Sequence, residues 1–394
     1  MRRIFAAACA AACLSLWLIT ILAYSQSDET AVSEASAASG PDAYVYVSNT
    51  IGSSGKTEIH AFAAAPNGKL TAVSGSPFAD DVGWMVVNGL YLFGSDWSGT
   101  FINAYSIEAD GALRYAASTN VVQPGNCDTP GALFLDHTGA TLYNTDYLGN
   151  NCANTVYQSF AVEKDTGKLK LVNEAGAGIN YTILSFIGNN KFAYESDCVK
   201  GNAVIDGYRR SSDGSLTELN NTPPWPTPPP NLGWCPYLAA ADTTNHLAVP
   251  MYPSPGLGQG GPYQLATYTA DSNTGTLTTS STYKNMPKVT VGSVNYLQMA
   301  PSGKLLAVAG TSGLEIFHFN GGGPITTYTG ALVKDEVDQM FWDNDNHLYA
   351  ISQRAGKLYV FTITPTAHSQ APGSPYSIKG AVNIIVQPWP LPWK

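Results

Sequence analysis

Short apolar segments recur along the chain, separated by turns rich in glycine, aspartate, asparagine and proline. Seven of them end in Phe or Tyr, and most continue through a turn to a leucine, as in "SIEADGALRY" and "AVEKDTGKLKL". The Asp-Gly and Thr-Gly pairs supply the positive φ that tight hairpins need. The pattern predicts the third and fourth strands of a repeated four-stranded meander, and nothing in it has a helical period. The third-strand segments are Ile59–Phe62, Ile102–Tyr105, Tyr157–Phe160, Ile205–Tyr208, Leu265–Tyr268, Leu314–Phe317 and Leu358–Phe361.

Two further apolar segments precede each of these. The nearer one, such as "YVYVSN" or "LAVAGT", predicts a second strand, and the one before it, such as "VGWMVV" or "VNYLQMA", predicts a first strand. First strands begin near residues 82, 130, 179, 235, 294, 337 and 382, so the repeat is about 43 to 59 residues long. Repeats of this length, with four strands each, are typical of propeller blades.

The two ends of the repeat region are complementary. The first unit begins with a second strand at Tyr44, and the chain ends with a lone first strand, "VNIIVQ", at Val382. Joining them completes one blade and leaves no open sheet edge, whereas a solenoid has capped ends that do not complement each other. The predicted fold is therefore all-β: a seven-bladed β-propeller of four-stranded antiparallel blades, closed by the C-terminal strand in the N-terminal blade.

The N-terminal segment has the features of an export signal. Arg2 and Arg3 precede an uncharged run over residues 4–22, and small residues follow at Ala23 and Ser25. We expect a signal peptide at 1–25, a disordered spacer at 26–42 and one propeller domain at 43–394. The protein is expected to be secreted or periplasmic, with membrane attachment only if the first segment is not cleaved, since 19 apolar residues can span a bilayer.

The composition narrows the range of partners. Of 394 residues only 12% are charged, about half the usual share, and the formal net charge is −9. Without a cluster of basic residues there is no surface suited to phosphate backbones, so nucleic acid is not an expected partner. We expect a monomer that binds a small molecule or another protein.

The sequence resembles the seven-bladed lactonase-like (6-phosphogluconolactonase-like) propellers and the related exported YVTN-repeat proteins. The resemblance covers about residues 43 to 388 and rests on "YVYVSN", the "DGxL" hairpins, "GSPF" at Gly75 and "GSPY" at Gly373. It implies the propeller fold, which hosts many functions. Members commonly carry Pro-His before a first strand, but Gly131 and Tyr237 follow the proline here, which argues against histidine-assisted lactone hydrolysis.

In such meanders, the loops that lead into first strands and those that join second to third strands lie at one end of the ring, which we call the mouth. All four cysteines after the signal segment belong to the mouth loops. Of the three possible connectivities, the topology favours Cys127 with Cys152 and Cys198 with Cys235. A zinc site would require all four thiols to converge, and exported cysteines are more often disulfide-bonded.

Aligned second strands place three aspartates, Asp96, Asp146 and Asp197, at the mouth of adjacent blades, with Glu195 close by. An aspartate at a strand end usually caps its own turn. Converging carboxylates could instead bind a calcium ion, or raise one another's pKa until one serves as a general base. No histidine is expected at the mouth, and no other cofactor or resident metal is predicted.

Two functions follow from this arrangement. The first is an exported propeller that binds a small sugar-like ligand, a cation or a protein at its mouth. The alternative is a lactonase-like hydrolase of lactone or ester bonds, in which Asp146 or Asp197 activates water and Arg354 or Lys379 stabilises the oxyanion. The sequence leaves open whether the protein is an enzyme. The predicted ligand-binding residues are Asp96, Trp97, Tyr147, Glu195, Trp234 and Tyr252.

Overall fold

The computed structural model describes residues 40–52, 55–79, 81–96, 100–122, 126–127, 131–148, 154–176, 183–199, 202–220, 222–255 and 260–388. These residues form seven antiparallel sheets, each with four strands in meander order and some with one extra short strand. The seven-bladed β-propeller is therefore confirmed. The predicted signal segment and nearly all of the predicted spacer lie outside the described residues. Within the described ranges, no helix is long and apolar enough to cross a membrane.

Blades are numbered here from the N-terminus, and blade 1 contains both ends of the domain. The first strands of blades 1 to 7 are Ala381–Pro388, Val82–Val87, Leu133–Leu135, Ser185–Phe186, Ala240–Ala241, Val294–Met299 and Gln339–Trp342. The second strands are Ala43–Thr50, Tyr91–Asp96, Thr141–Leu148, Phe192–Val199, His246–Ser254, Leu305–Gly310 and His347–Ser352.

The third strands, in the same order, are Thr57–Ala64, Phe101–Ile107, Asn154–Val162, Asn202–Arg210, Gln264–Ala270, Gly313–His318 and Lys357–Ile363. The fourth strands are Leu70–Ala72, Leu113–Asn120, Leu169–Gly176, Leu216–Leu219, Leu277–Thr278, Thr326–Thr327 and His368–Gln370. Short additional strands lie at Phe78–Ala79, Asn126–Cys127, Gly233–Pro236 and Tyr376–Ser377.

The C-terminal strand closes the ring. Ala381–Pro388 pairs antiparallel with Ala43–Thr50, with Val47 opposite Ile384 and Ser48 opposite Asn383. First strands contact their neighbours around the axis, and the C-terminal strand lies between the first strands of blades 7 and 2. The predicted completion of blade 1 by the two chain ends is thus confirmed.

The second strands are buried on both faces because each blade is covered by two others. Val45 and Val47 pack against blade 7, whereas Tyr44 and Tyr46 pack against blade 2. Seven apolar clusters among the described residues fill the seven seams between adjacent blades. This double burial explains why second strands read as continuous apolar runs rather than as alternating ones.

Tyrosine hydroxyls connect one blade to the next. Tyr46 donates to the carbonyl oxygen of Gly111 at 3.0 Å, and Tyr143 donates to that of Gly214 at 2.9 Å. In both cases the acceptor lies in the third-to-fourth hairpin of the following blade. Gly111 has φ +82° and lies against the Tyr44 ring, so a side chain there would be strained and would clash. The glycine of the "DGxL" motif is therefore needed both for the conformation of the turn and for close packing between adjacent blades.

The first strand of blade 5 is divided. A strand is present near residue 235, as predicted, but it consists of two pieces, Gly233–Pro236 and Ala240–Ala241. In blade 4 the described first strand is Ser185–Phe186, and the predicted start near residue 179 lies outside the described residues. Between the two pieces in blade 5, Leu238 adopts φ +63° and its N–H donates to the carbonyl oxygen of Ser196 at 3.1 Å. This hydrogen bond to blade 4 interrupts the strand pairing within blade 5. A run of apolar residues in the sequence does not indicate that the backbone changes partner in this way.

Candidate ligand-binding site

Part of the predicted mouth lies outside the described residues. Trp97 and Cys152 are in this group, and the side chains of Cys127 and Tyr147 are not described either. The backbone of Cys127 pairs with that of Tyr147, at the mouth end of the second strand of blade 3. The Cys127–Cys152 pairing and the roles of Trp97 and Tyr147 stay predictions.

Asp96 caps the turn that follows its own strand. Its Oδ1 accepts hydrogen bonds from the backbone N–H groups of Thr100 and Phe101, both at 2.9 Å. This is the local structural role that an aspartate at a strand end usually has. A ligand at Asp96 would have to hydrogen-bond to a carboxylate that already accepts these two bonds.

Asp146 and Asp197 occupy matching positions on blades 3 and 4 and are 3% and 5% exposed. Side chains alternate along a strand, so Asp146 shares the face of Leu142, which packs towards blade 2. Asp197 by the same rule shares the face of Ala193, which packs towards blade 3. The two carboxylates therefore belong to successive seams at the same height, and both lie beneath the surface of the mouth.

Glu195 lies deeper than the mouth and is fully buried. Its Oε1 accepts a hydrogen bond from the Tyr208 hydroxyl at 2.9 Å, and the Tyr157 hydroxyl also bonds to this carboxylate. Burial, reinforced by the charge of Glu195, raises the pKa of Tyr208. Two phenol donors stabilise the carboxylate in the seam between blades 3 and 4, where it contributes to the polar core.

A disulfide ties blade 4 to blade 5 at the mouth. Cys198 and Cys235 are bonded with their Cα atoms 5.3 Å apart, which confirms one of the two predicted pairs and makes this pair unavailable to zinc. Next to it, Trp234 is buried and its indole Nε1–H donates to the carbonyl oxygen of Pro226 at 3.0 Å. Trp234 therefore anchors the proline-rich loop that leads into blade 5.

Asp197 and three tyrosines form a group beside this disulfide, here called the Asp197 cluster: Asp197, Tyr237, Tyr252 and Tyr263. The rings of Tyr252 and Tyr263 meet edge to face, with centroids 5.1 Å apart. Burial is the main cause of the raised pKa of Tyr237, and the charge of Asp197 raises it further. The pKa of Tyr263 is raised by burial, by the neighbouring phenols and by Asp197. Asp197 thus lies within electrostatic range of Tyr237 and Tyr263, and the Tyr252 ring packs against Tyr263.

The predicted cations lie on other blades. Arg354 is exposed in the second-to-third loop of blade 7, and Lys379 is exposed just before the first strand of blade 1. The side-chain Nδ2 of Asn49 donates to the carbonyl oxygen of Lys379 at 2.9 Å, which fixes that backbone. Blades 7 and 1 are each three blades away from blade 4. The structure therefore does not bring Arg354 or Lys379 next to Asp197.

A second acidic group lies on blade 7, next to the loop that contains Arg354, and was not singled out from the sequence. Oδ2 of Asp338 accepts a hydrogen bond from the backbone N–H of Gln353 at 2.7 Å. Burial and the charge of Glu336 raise the pKa of Asp338, although the Gln353 hydrogen bond opposes them. Asn295 Nδ2 lies 3.4 Å from Glu336 Oε1. The acid-rich run "KDEVD" before the first strand of blade 7 is the signal that could have revealed this group.

The described histidines lie away from the mouth, as predicted. Nδ1 of His347 is 2.8 Å from Oδ2 of Asp343, and Nδ1 of His246 is 2.9 Å from Oδ2 of Asp242, both at first-to-second turns. Among the described residues, no three His, Cys, Asp or Glu side chains are arranged to hold a metal ion. Calcium binding at the mouth remains a prediction.

A cavity of about 330 Å³ lies along the ring axis between the first strands. Every blade contributes to its wall, which is mainly apolar. Trp84 of blade 2 lines it and is 39% exposed. The polar lining side chains are His137, Ser185, Tyr296, Gln298, Gln339 and Asn383.

By sequence, neither an established protein family nor a curated protein matches the chain. Solved structures do match its fold. The periplasmic gluconolactonase of Pseudomonas aeruginosa superposes with a TM-score of 0.60 at 14% identity, covering 88% of this chain and 99% of that one. This chain has the fold of the 6-phosphogluconolactonase-like propellers.

Two other neighbours support the same assignment of fold. A protein of Bacteroides uniformis described as a candidate 6-phosphogluconolactonase gives a TM-score of 0.62 at 13% identity, covering 87% of this chain and 98% of that one. A Lactobacillus plantarum protein gives 0.58 at 14% identity, covering 88% and 99%. At such identities the likeness establishes the lactonase-like propeller fold, and residue roles do not transfer with it.

Proposed function

We propose that this protein is an exported propeller that binds a small sugar-like ligand at its mouth, near Asp197 of blade 4 and the tyrosines of blade 5. The Asp197 cluster is the observation that carries this proposal. A carboxylate accepts hydrogen bonds from ligand hydroxyls, and phenol rings offer flat apolar surfaces to the C–H faces of a sugar ring. The Cys198–Cys235 disulfide next to the cluster holds the two blades together, which reduces the ordering cost of binding.

Export is supported by three observations. The first 25 residues have the charge and apolar pattern of a signal peptide. The disulfide is of a kind that persists in oxidising compartments. One structural neighbour is a periplasmic gluconolactonase. We place the protein in the periplasm or outside the cell, as a monomer with a small-molecule or protein partner.

Binding is tested by calorimetric titration of the exported protein with D-glucose and with D-galactose, which carry no charge that the Asp197 carboxylate would repel. Asp197→Asn keeps the shape of the side chain but removes its charge, and Tyr252→Ala removes one aromatic wall. Each change is expected to weaken the binding of the better probe by at least about tenfold, which corresponds to about 1.4 kcal/mol. Asp213→Asn, in an exposed hairpin at the opposite end of blade 4, is the matched control. Undetectable binding of both probes, or equal affinity in all variants, would contradict the proposal.

The calcium alternative predicts a different outcome at the same mouth. A cation that binds the folded state raises the melting temperature, and chelation lowers it again. The measurement is a thermal melt in calcium and in chelator, with wild type and Asp197→Asn side by side. Identical melting curves in calcium and in chelator would argue against calcium binding. The aspartates would then serve only as hydrogen-bond acceptors for ligand hydroxyls and for backbone N–H groups of turns.

Lactone hydrolysis is the second candidate, and the gluconolactonase neighbour favours it. A carboxylate takes a proton from water as the water oxygen attacks the lactone carbonyl carbon. The ring C–O bond then breaks, and the protonated carboxyl group returns its proton to the leaving ring oxygen to give the hydroxy acid. Asp146 and Asp197 are the bases predicted from sequence, with Arg354 or Lys379 as the oxyanion partner. Asp338 on blade 7 is a further candidate for the base, because burial raises its pKa towards the range of an efficient base.

This candidate is tested by following the opening of D-glucono-1,5-lactone at constant pH, with and without protein. Asp338→Asn should remove the excess rate if the Arg354 side of the mouth is active, whereas Asp146→Asn should do so if the original assignment holds. The Asp213→Asn control should keep the full rate. Equal rates with protein and with buffer would exclude hydrolysis of this lactone.

A further inference from the structure

Asp197 lies between two connections from blade 4 to blade 5. On one side of it, Cys198 is bonded to Cys235. On the other side, Ser196 forms two hydrogen bonds with Leu238. The Ser196 carbonyl oxygen accepts from the Leu238 N–H at 3.1 Å, and the Ser196 hydroxyl donates to the Leu238 carbonyl oxygen. Both chain neighbours of Asp197 are therefore joined to blade 5, which fixes the backbone of Asp197 relative to that blade.

Tyr237 occupies the corresponding place on blade 5. It lies between Cys235 and Leu238, the two residues through which blade 5 is joined to blade 4. The N–H of Tyr237 donates to the carbonyl oxygen of Pro250 within blade 5 at 2.9 Å, so the backbone changes partner between Tyr237 and Leu238. Burial raises the pKa of Tyr237 and the charge of Asp197 raises it further, as expected for side chains within electrostatic range.

Leu238 has a backbone conformation that leucine rarely adopts. Its φ of +63° lies in the left-handed region, where the side chain approaches the following carbonyl oxygen. Such residues persist only where the surrounding structure holds them, and they concentrate at functional sites. Here both polar backbone groups of Leu238 bond to Ser196. The unusual turn is thus fixed by blade 4 at the point where the chain leaves Tyr237.

We propose that Ser196 and Leu238 are positioning residues, which hold the Tyr237 ring at a fixed separation from Asp197. This inference rests on the proposed function, since the site it concerns is the Asp197 cluster. The turn at Leu238 sets the direction of the chain next to Tyr237, and the two bonds to Ser196 prevent that turn from relaxing. A tyrosine ring that is already in place before a ligand arrives lowers the ordering cost of binding.

The separation of Tyr237 and Asp197 can be followed without any ligand. In protein with ¹³C-labelled tyrosine, the Tyr237 ring signal is the one that disappears in Tyr237→Phe. Asp197→Asn should shift this signal, because it removes a nearby charge. When Ser196→Ala is also present, the same change should shift the signal by about half as much or less, since a Coulomb interaction weakens as the separation grows. An equal shift with and without Ser196→Ala would overturn the proposal.

Ser185→Ala is the matched control for a purely structural effect. Ser185 also belongs to blade 4, and its hydroxyl donates to the carbonyl oxygen of Ala239 in blade 5 at 2.6 Å. Ser185→Ala and Ser196→Ala each remove one serine-to-carbonyl hydrogen bond between the same two blades, so we expect similar decreases in melting temperature. Only Ser196→Ala should reduce the response of the Tyr237 signal to Asp197→Asn. Equal reductions in both variants would give Ser196 a general structural role and contradict the proposal.

Two substitutions of Leu238 test the backbone conformation itself. Asparagine tolerates the left-handed region, whereas a β-branched valine is strongly disfavoured there. Leu238→Asn should therefore keep the wild-type response of the Tyr237 signal, and Leu238→Val should reduce this response as Ser196→Ala does. If both variants reduced it equally, the leucine side chain and not the turn would position Tyr237, and the role assigned to the backbone would be wrong.

Sugar titrations separate this inference from the proposed function. Ser196→Ala should weaken the binding of D-glucose or D-galactose, whichever binds better, by about threefold or more, and Ser185→Ala should bind like wild type. If wild type binds neither sugar but Ser196→Ala reduces the Tyr237 response, the proposed function fails and the positioning role stands. If Ser196→Ala binds sugar as tightly as wild type and keeps the full Tyr237 response, the positioning role fails and the proposed function stands.

Discussion

Closure of the ring by the C-terminal strand makes a quantitative prediction for Ile384→Ala. Ile384 is 1% exposed and lies opposite Val47, in the apolar cluster that joins blade 1 to blade 7. The substitution removes three buried carbon atoms and leaves a cavity, a change that costs about 2–5 kcal/mol when the surroundings relax only in part. The backbone N–H of residue 384 keeps its bond to Gln339 Oε1, so the loss reports packing alone.

The assay is equilibrium unfolding in urea, followed by tryptophan fluorescence, with the midpoint compared at constant slope. Ile51→Ala is the matched control, because Ile51 is 42% exposed just beyond the second strand of blade 1. That change should cost less than about 0.5 kcal/mol. A chain ending at Lys379 should in addition recover native-like fluorescence when a peptide of residues 380–388 is supplied. If Ile384→Ala were as stable as Ile51→Ala, the terminal strand would not be part of the closed core.

Three further perturbations test other parts of the ring by the same unfolding assay. Tyr143→Phe should lower the free energy of unfolding by about 1–2 kcal/mol, because it leaves a buried carbonyl of the next blade unpaired. Tyr115→Phe is the control and should be nearly neutral, since Tyr115 is 59% exposed. Equal losses of stability would argue against the hydrogen bond between the blades. Burial opposes the protonation of His347, but its carboxylate neighbours outweigh this and raise its pKa above 6.5. The protonated ring therefore adds stability that is complete below about pH 6.5 and is lost as the pH rises through the pKa of the folded state. The His347→Gln variant should thus be destabilised relative to wild type more strongly at pH 5.5 than at pH 8.5. A loss of stability that does not depend on pH would refute the raised pKa. Replacing Cys198 and Cys235 by Ser should cost about 4 kcal/mol for a 37-residue separation, and unchanged stability would show that the crosslink does not restrain the unfolded chain.

The carboxylates near His347 account for the sign of that pH effect. Asp343 bonds directly to the His347 ring, and Asp42 and Asp345 add negative charge around it. Asp343 also accepts a hydrogen bond from the Tyr349 hydroxyl at 2.9 Å. All these groups lie on blade 7 or at the start of blade 1, so the pH effect should act on the seam where the ring closes.

Much of the fold was predictable because its signals are local and repeated. Each blade carries its own hairpin glycine and its own apolar strands, and seven imperfect copies reinforce one another. The Cys198–Cys235 pair was also predictable, since the topology alone places the two loops side by side. The division of the first strand of blade 5 was not predicted, because it depends on the backbone of Leu238 bonding to blade 4.

The candidate site was much less accessible to sequence reasoning. Alignment placed Asp96, Asp197 and Glu195 together at the mouth, but the three carboxylates have different environments. Asp96 caps its turn, Glu195 is buried under two tyrosines, and Asp197 lies near phenols of blade 5. Strand alternation and the depth of each residue in a seam set these environments, and neither can be read from the position of an acid in an aligned column.

The sequence by itself determined the number of blades, the order of strands and the closure of the ring, because turn chemistry and apolar periodicity act over a few residues and recur in every unit. Only the tertiary structure decided which polar groups of different blades meet. The Asp197 cluster joins blades 4 and 5, and Glu195 of blade 4 meets the Tyr157 hydroxyl of blade 3. Such pairings connect residues far apart in the chain, and their energies depend on burial and distance that exist only once the ring has closed.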